Sequence, residues 1–181
     1  VAADSGLLLA ERLRVVPDYI VGDFDSLPDR DILSQYPSRK IIRYPRDKDF
    51  TDTELGVGLL REKGCDRIII LGGGGGRLDH LLAVHSLFLR ENSPDVWLTD
   101  KEEISLVKPV YVLRGWKGGE VSFLPLGPGP VRMRSRGLKW PLDDLVWEPG
   151  DFGISNVAAD DTVEVEAIEG RLLAIRSWKR G

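Results

Sequence analysis

The chain has 181 residues, 42% of them hydrophobic and 30% charged, and a formal net charge of −4. That composition fits a soluble globular protein of one large or two small domains, and the negative charge disfavours nucleic acid as a partner. No apolar run approaches the ~20 residues needed to span a bilayer, the start Val1-Ala2-Ala3-Asp4 is unlike a signal peptide, and a single cysteine, Cys65, permits no internal disulfide. No membrane role is expected, and a cytoplasmic location is. Cys65 reads as a packing residue.

In chain order, the first apolar runs are Tyr19-Ile20-Val21, Lys40-Ile41-Ile42-Arg43-Tyr44, Arg67-Ile68-Ile69-Ile70-Leu71 and Val96-Trp97-Leu98. Each ends in turn residues and reads as a strand. Between them Leu55, Leu59 and Leu60 fall at helical spacing, as do Leu78, Leu81, Leu82, His85, Phe88 and Leu89. Alternation of apolar strands with helices predicts a parallel sheet covered on both faces, with ligands at the carboxyl ends of its strands. Asp4-Ser5-Gly6 resembles the turn after a strand although only three residues precede it, so a first strand is expected to be missing. From Val110 onward, short runs such as Val121-Ser122-Phe123-Leu124 and Val163-Glu164-Val165-Glu166-Ala167 are separated by Gly, Pro and Asp turns. They predict a small antiparallel sandwich or barrel. The expected fold is therefore α/β, a parallel-sheet Rossmann-like domain over residues 1–103 followed by a small all-β sandwich over 104–181.

Three motifs follow predicted strands. Gly22-Asp23-Phe24-Asp25-Ser26 and Asp47-Lys48-Asp49-Phe50-Thr51-Asp52 belong to a stretch with eight aspartates between Asp18 and Asp52. Grouped hard oxygen ligands suit Mg²⁺, which keeps positions for water and phosphate oxygens. Asp23 and Asp25 are two apart, so an extended segment points both the same way. The competing reading is an ordinary turn with Asp25-Ser26 capping a helix. Thr51-Asp52-Thr53-Glu54 fits a capping box, which places Asp49 and Asp52 at a helix N-terminus. The third motif runs through residues 72–76, all glycine, into Arg77-Leu78-Asp79-His80. It matches neither a P-loop nor the dinucleotide fingerprint, yet its backbone N–H groups can approach phosphates and Arg77 can clamp them. His85 reads as a core residue; His80 has no partner histidine for a zinc pair.

Taken together, Asp4-Ser5-Gly6, the aspartate motifs, Gly75-Gly76-Arg77-Leu78-Asp79-His80, Gly137-Leu138-Lys139-Trp140-Pro141-Leu142 and Gly153-Ile154-Ser155-Asn156 resemble thiamine pyrophosphokinases, in order and over nearly the whole chain. The resemblance implies an α/β catalytic domain, a β-sandwich domain, and transfer of diphosphate from ATP to thiamine with release of AMP. It further implies a homodimer with sites at the subunit interface. By position it assigns Asp23, Asp25 and Asp52 to Mg²⁺ with Asp49 close by, and Asp4, Gly75, Gly76, Arg77 and Asp79 to the nucleotide. Trp140, Ser155 and Asn156 are assigned to the thiamine pocket, approached also by Thr51 and Asp52. In the transfer itself, a carboxylate such as Asp52 is the expected proton acceptor. From the residues alone, Trp140 reads as a core or interface aromatic instead. Ser5 and Gly73-Gly74 depart from the family pattern. The alternatives are a pyrophosphokinase for another heteroaromatic alcohol, such as a hydroxymethylpterin, and a non-catalytic nucleotide or thiamine sensor.

Overall fold

The computed structural model describes residues 1–178, and its chain divides into two compact units, one ending at Ile68 and the other beginning at Ile69. The first unit is built on three short parallel strands, β1 (Ala2–Ala3), β2 (Ile20–Gly22) and β3 (Ile41–Arg43), in the order β1-β2-β3. Helix α1 (Gly6–Arg12) follows β1, and α2 (Asp52–Glu62) follows β3. Ala2, Leu7, Ile20, Phe24, Leu27 and Leu33 form the core of this unit. Leu7, Ile20 and Phe24 have no exposed surface at all. Helix α2 packs against β1 and β2 through Gly56, where a Cβ would already lie 3.4 Å from Val1 and 3.8 Å from Ala3 and Val21. A glycine there lets the helix approach the sheet at the expense of helix propensity.

The second unit contains β4 (Ile69–Leu71), α3 (Leu78–Leu87), β5 (Val96–Leu98), β6 (Glu102–Leu106), β7 (Val110–Arg114), β8 (Glu120–Leu126) and β9 (Val131–Arg136). The remaining strands are β10 (Val146–Trp147), β11 (Gly153–Val157), β12 (Thr162–Glu169) and β13 (Arg171–Ser177). They make a six-stranded sheet, β11-β8-β13-β6-β5-β4, and a four-stranded sheet, β10-β9-β12-β7. Side chains from both sheets share one core, including Tyr111, Phe123, Val131, Met133, Trp147, Val163 and Leu172. The alternation read at Val163-Glu164-Val165 is literal, with both valines wholly buried. Against the other side of the six-stranded sheet, Val84 of α3 and Phe88 just after it pack with Trp97, Ile104, Leu106 and Leu173.

The molecule is thus a mixed α/β protein with several sheets. Two differences from the sequence reading have physical causes. The strands before residue 100 are not all in one parallel sheet: β4 and β5 pair in parallel, but β5 continues into antiparallel pairing with β6. Thr99 makes that reversal, its hydroxyl oxygen accepting the backbone N–H groups of Lys101 (3.1 Å) and Glu102 (2.8 Å). The charged start of β6, Glu102-Glu103, hid the strand; Glu103 accepts a hydrogen bond from Arg176 at 2.6 Å. The inward face of α3 is also rotated: Leu81, Val84, Leu87 and Phe88 turn inward while Leu78, Leu82 and Leu89 are exposed, because the helix seats on the sheet through Val84 and Phe88.

Candidate metal, phosphate and ring-binding sites

Parallel strands present all their carboxyl ends on one side, and the first unit places acids there. Asp4 ends β1, Asp23 follows β2, and Asp52 opens α2 after β3. One carboxylate oxygen from each lies within 4.8 Å of the other two. Gly22 makes the convergence possible: its φ is +146°, and a Cβ would stand 3.3 Å from both the Asp4 Cβ and the Asp52 carboxyl group.

Asp25 and Asp49 do not belong to this group. Phe24 is in the left-handed region, with φ 62°, so the segment turns rather than runs extended, and Asp25 stays beside Asp23 without joining the group of three. It is exposed and pairs with Arg46 Nε at 3.3 Å. Phe24 is rigidly held. Its side chain fills the core, its carbonyl accepts from Arg30 Nε at 3.1 Å, and the Arg43 guanidinium lies 5.0 Å from its ring centre. Left-handed non-glycine residues cost free energy and persist where the surroundings over-determine them. Asp4 is a second case, with φ 46°. Thr51 caps α2, its hydroxyl accepting the Glu54 N–H at 3.2 Å, so the capping half of the Thr51–Glu54 motif fixes the start of the helix and with it Asp52.

Sequence reasoning did not single out Lys48. Its Nζ donates to Asp23 Oδ2 at 3.0 Å and to the Pro45 carbonyl at 3.1 Å, and stands 3.3 Å from Asp52 Oδ1. The last contact is an ion pair without hydrogen-bond alignment, so Asp52 Oδ1 is buried with no donor, as is Asp4 Oδ1. The signal was present as a lysine four residues before Asp52, the spacing of a helical ion pair.

Electrostatics separate the acids. The Asp25 backbone N–H, donating to Asp23 Oδ1 at 3.1 Å, holds the Asp23 pKa below the ordinary carboxylate value, with Lys48 assisting against burial. Asp52 goes the other way. Burial raises its pKa, Lys48 opposes the rise, and the charges of Asp23 and Asp4 add to it. As a whole, the Asp52 side chain is slightly more exposed than Asp23, 19% against 12%, yet its Oδ1 has no access to water, and that sets the direction. Burial also disfavours the Lys48 ammonium, but the two carboxylates outweigh it and raise its pKa. For Asp23 the sign is simple: its contribution to stability is present above pH 3.8 and is lost as pH falls further, through its lowered folded value.

In the second unit the glycine run links β4 to α3. Gly72, Gly73 and Gly76 have positive φ, and around Gly75 and Gly76 there is open space where a Cβ would go. Gly74 is different, since a Cβ would meet Thr99 at 2.4 Å. Arg77, just before α3, donates through Nε to Asp79 Oδ1 at 3.1 Å and through Nη2 to Oδ2, a two-pronged exposed pair. His80 donates its backbone N–H to Asp79 Oδ1 and is exposed; His85 is half-buried on α3.

The Gly137 to Leu142 motif is shaped by Asn156. Its side-chain oxygen accepts the Trp140 N–H at 3.3 Å and its own NH₂ donates to the Trp140 carbonyl at 2.7 Å. Asn156 is 5% exposed, whereas Trp140 is 51% exposed, with the Lys139 ammonium 4.4 Å from its ring centre. Ser155, with φ 56°, sits in an irregular stretch of β11 and donates its N–H to Ser122 Oγ at 3.1 Å.

The family model described as thiamin pyrophosphokinase, catalytic domain, matches residues 1–98, and the one described as thiamin pyrophosphokinase, vitamin B1 binding domain, matches residues 103–172. The chain belongs to the thiamin pyrophosphokinase family. A thiamine pyrophosphokinase 1 of Oryza sativa subsp. japonica is 28% identical over 85% of this chain and 64% of its own length. The thiamine pyrophosphokinase of Bacillus subtilis is 27% identical over 98% of this chain and 86% of its own. A crystal structure of thiamine pyrophosphokinase from Bacillus subtilis superposes with a TM-score of 0.81 at 26% identity, covering 97% of this chain and 85% of that one. Thiamine pyrophosphokinases transfer diphosphate from ATP to thiamine, and neither the pterin-directed nor the sensor alternative is favoured. Among the described residues, no helix is long and apolar enough to cross a membrane.

Proposed function

We propose that this chain transfers diphosphate from ATP to the hydroxyl of thiamine, with Mg²⁺ held by Asp4, Asp23 and Asp52. The observation that carries the cation assignment is a group of three carboxylates in which two buried oxygens accept no hydrogen bond, Asp4 Oδ1 and Asp52 Oδ1, the latter having only its ion-pair contact with Lys48. Buried polar atoms are normally satisfied, and hard oxygen donors are what Mg²⁺ takes. Asp25 and Asp49 lie outside that group and belong to its approaches. A bound cation would supply charge neutralisation of the phosphates.

In this reading the glycine loop, Gly75 and Gly76 above all, offers backbone N–H groups to the triphosphate, and Arg77 exchanges Asp79 for a phosphate. The thiamine hydroxyl oxygen attacks the β-phosphorus, the bond to the α-phosphate oxygen breaks, and AMP leaves. Asp52 takes the hydroxyl proton through its second carboxylate oxygen, Oδ2, since Oδ1 is the one offered to the cation. Thr51 lines the approach to Asp52. Trp140 offers its exposed face to the aromatic substrate, and a cation is attracted to such a face. Asn156 positions Trp140 through its backbone, and Ser155 borders the same segment.

The finer fold and assembly statements belong to the same proposal. A Rossmann-like catalytic part, residues 1–103, is supported by the parallel pairings and the acids at the strand ends. A thiamine-binding and dimerising sandwich, residues 104–181, is supported by exposed Trp140, Phe152 and Ile154, which suit a homodimer with sites at its interface. Net charge −4 argues against nucleic acid, and one cysteine fits the cytoplasm.

Phosphorus NMR of a reaction with Mg-ATP and thiamine tests the reading. AMP and thiamine diphosphate are expected in equal amounts; ADP with thiamine monophosphate would overturn it. A second expectation concerns Asn156→Ala, which frees the Trp140 backbone. The KM for thiamine is expected to rise about tenfold, the equivalent of one lost hydrogen bond, with kcat nearly unchanged in steady-state kinetics. An unchanged KM would separate Asn156 from substrate binding.

A further inference from the structure

We propose that Lys48 is a built-in stand-in for the divalent cation, its ammonium occupying the acidic group when no cation is bound and being displaced when one binds. The proposal rests on the reading of Asp4, Asp23 and Asp52 as a divalent-cation site. Three carboxylates with oxygens within 4.8 Å repel one another, and the group holds together around one positive charge. Lys48 is suited to that post: its side chain is 12% exposed, and the Pro45 carbonyl anchors its ammonium from outside the acidic group.

The arrangement is incomplete as a permanent ion pair. Lys48 makes a hydrogen bond to Asp23, only an unaligned contact to Asp52, and none to Asp4. One ammonium therefore leaves Asp4 Oδ1 without a donor and Asp52 Oδ1 with only an unaligned ion-pair contact, and those are the oxygens that a divalent cation would take. The ammonium and a dication cannot both stand about 3 Å from the same carboxylates without strong repulsion. On cation binding, the long, flexible lysine stem carries its charge away while the Pro45 carbonyl still offers an anchor. The affinity for a free cation is thereby kept low. A cation arriving with phosphates binds better, because the displaced ammonium then finds phosphate oxygens.

The test uses the full chain and Mn²⁺ as the probe. Lys48→Met is expected to bind Mn²⁺ about tenfold tighter than wild type by electron paramagnetic resonance, because a competing charge is gone. Its Tm without cation is expected to fall by about 5 °C, a loss that disappears at saturating Mn²⁺. Lys48→Arg, which keeps the charge, should bind within about twofold of wild type. Equal or weaker Mn²⁺ binding by Lys48→Met, or a Tm deficit that Mn²⁺ does not remove, overturns the proposal. Should Lys48→Met fail to fold, the ¹⁵Nζ resonance of Lys48 in wild type decides: it must shift on titration with Mg²⁺, and insensitivity overturns displacement. Wild type that binds no divalent cation at all would bring down the cation-site reading itself, an outcome distinct from binding that is indifferent to Lys48.

Discussion

Asp23→Asn is expected to lower the rate of diphosphate transfer by about a thousandfold, the scale seen when a group stabilising charge in the transition state is lost. The substitution is nearly isosteric. Its amide oxygen can still accept the Asp25 N–H, the contact that contributes most to holding Asp23 ionised, and Lys48 keeps Asp52 and Pro45. The protein should therefore remain folded and bind thiamine, as read by tryptophan fluorescence, while Mn²⁺ affinity falls with the rate. A variant with full activity would remove Asp23 from the cation site. One that loses thiamine binding in parallel would mean that the acidic group shapes the substrate pocket instead.

Gly137→Ala is expected to be the most damaging small substitution in the sandwich. Gly137 has φ +77°, and an added Cβ would stand 2.2 Å from the Thr162 carbonyl oxygen and 3.2 Å from its carbon. Backbone cannot retreat as a side chain can, because the Gly137 carbonyl already accepts the N–H groups of Ala159 (2.8 Å) and Asp160 (3.2 Å). Left-handed strain and a backbone clash together are expected to cost about 3 kcal/mol or more, measured by urea unfolding. Because Gly137 begins the segment that Asn156 clasps at Trp140, the KM for thiamine should worsen in the same variant. A loss below about 1 kcal/mol, the size of an ordinary substitution, would show that the backbone at Thr162, the start of β12, yields.

Strands were legible where apolar runs end in turn chemistry, as at Val96-Trp97-Leu98 and Val163-Glu164-Val165. Others were not. The two residues of β1 carry no period, β6 opens with two glutamates, and β11 is interrupted by the Ser155 irregularity. At the acidic group the residue types were readable but their geometry was not. An extended Asp23-Phe24-Asp25 would have aimed both acids one way; with a positive φ at Phe24, Asp23 groups with Asp4 and Asp52, while Asp25, still beside Asp23, pairs with Arg46. That torsion belongs to a residue whose ring packs in the core with Leu7, Ile20, Leu27 and Leu33. Lys48 was hidden for a related reason: between Asp47 and Asp49 it reads as part of a solvated charge run, and only the fold turns it inward.

The Phe24 side chain carries a consequence for how this unit fails. Its ring is core and its backbone is site, so the alignment of Asp23 depends on the tightness of packing around Leu27 and Leu33. Damage to that hydrophobic cluster would loosen a strained torsion before it unfolded the unit. Cation affinity would then act as an early gauge of core integrity, declining at temperatures or in variants where the secondary structure is still intact.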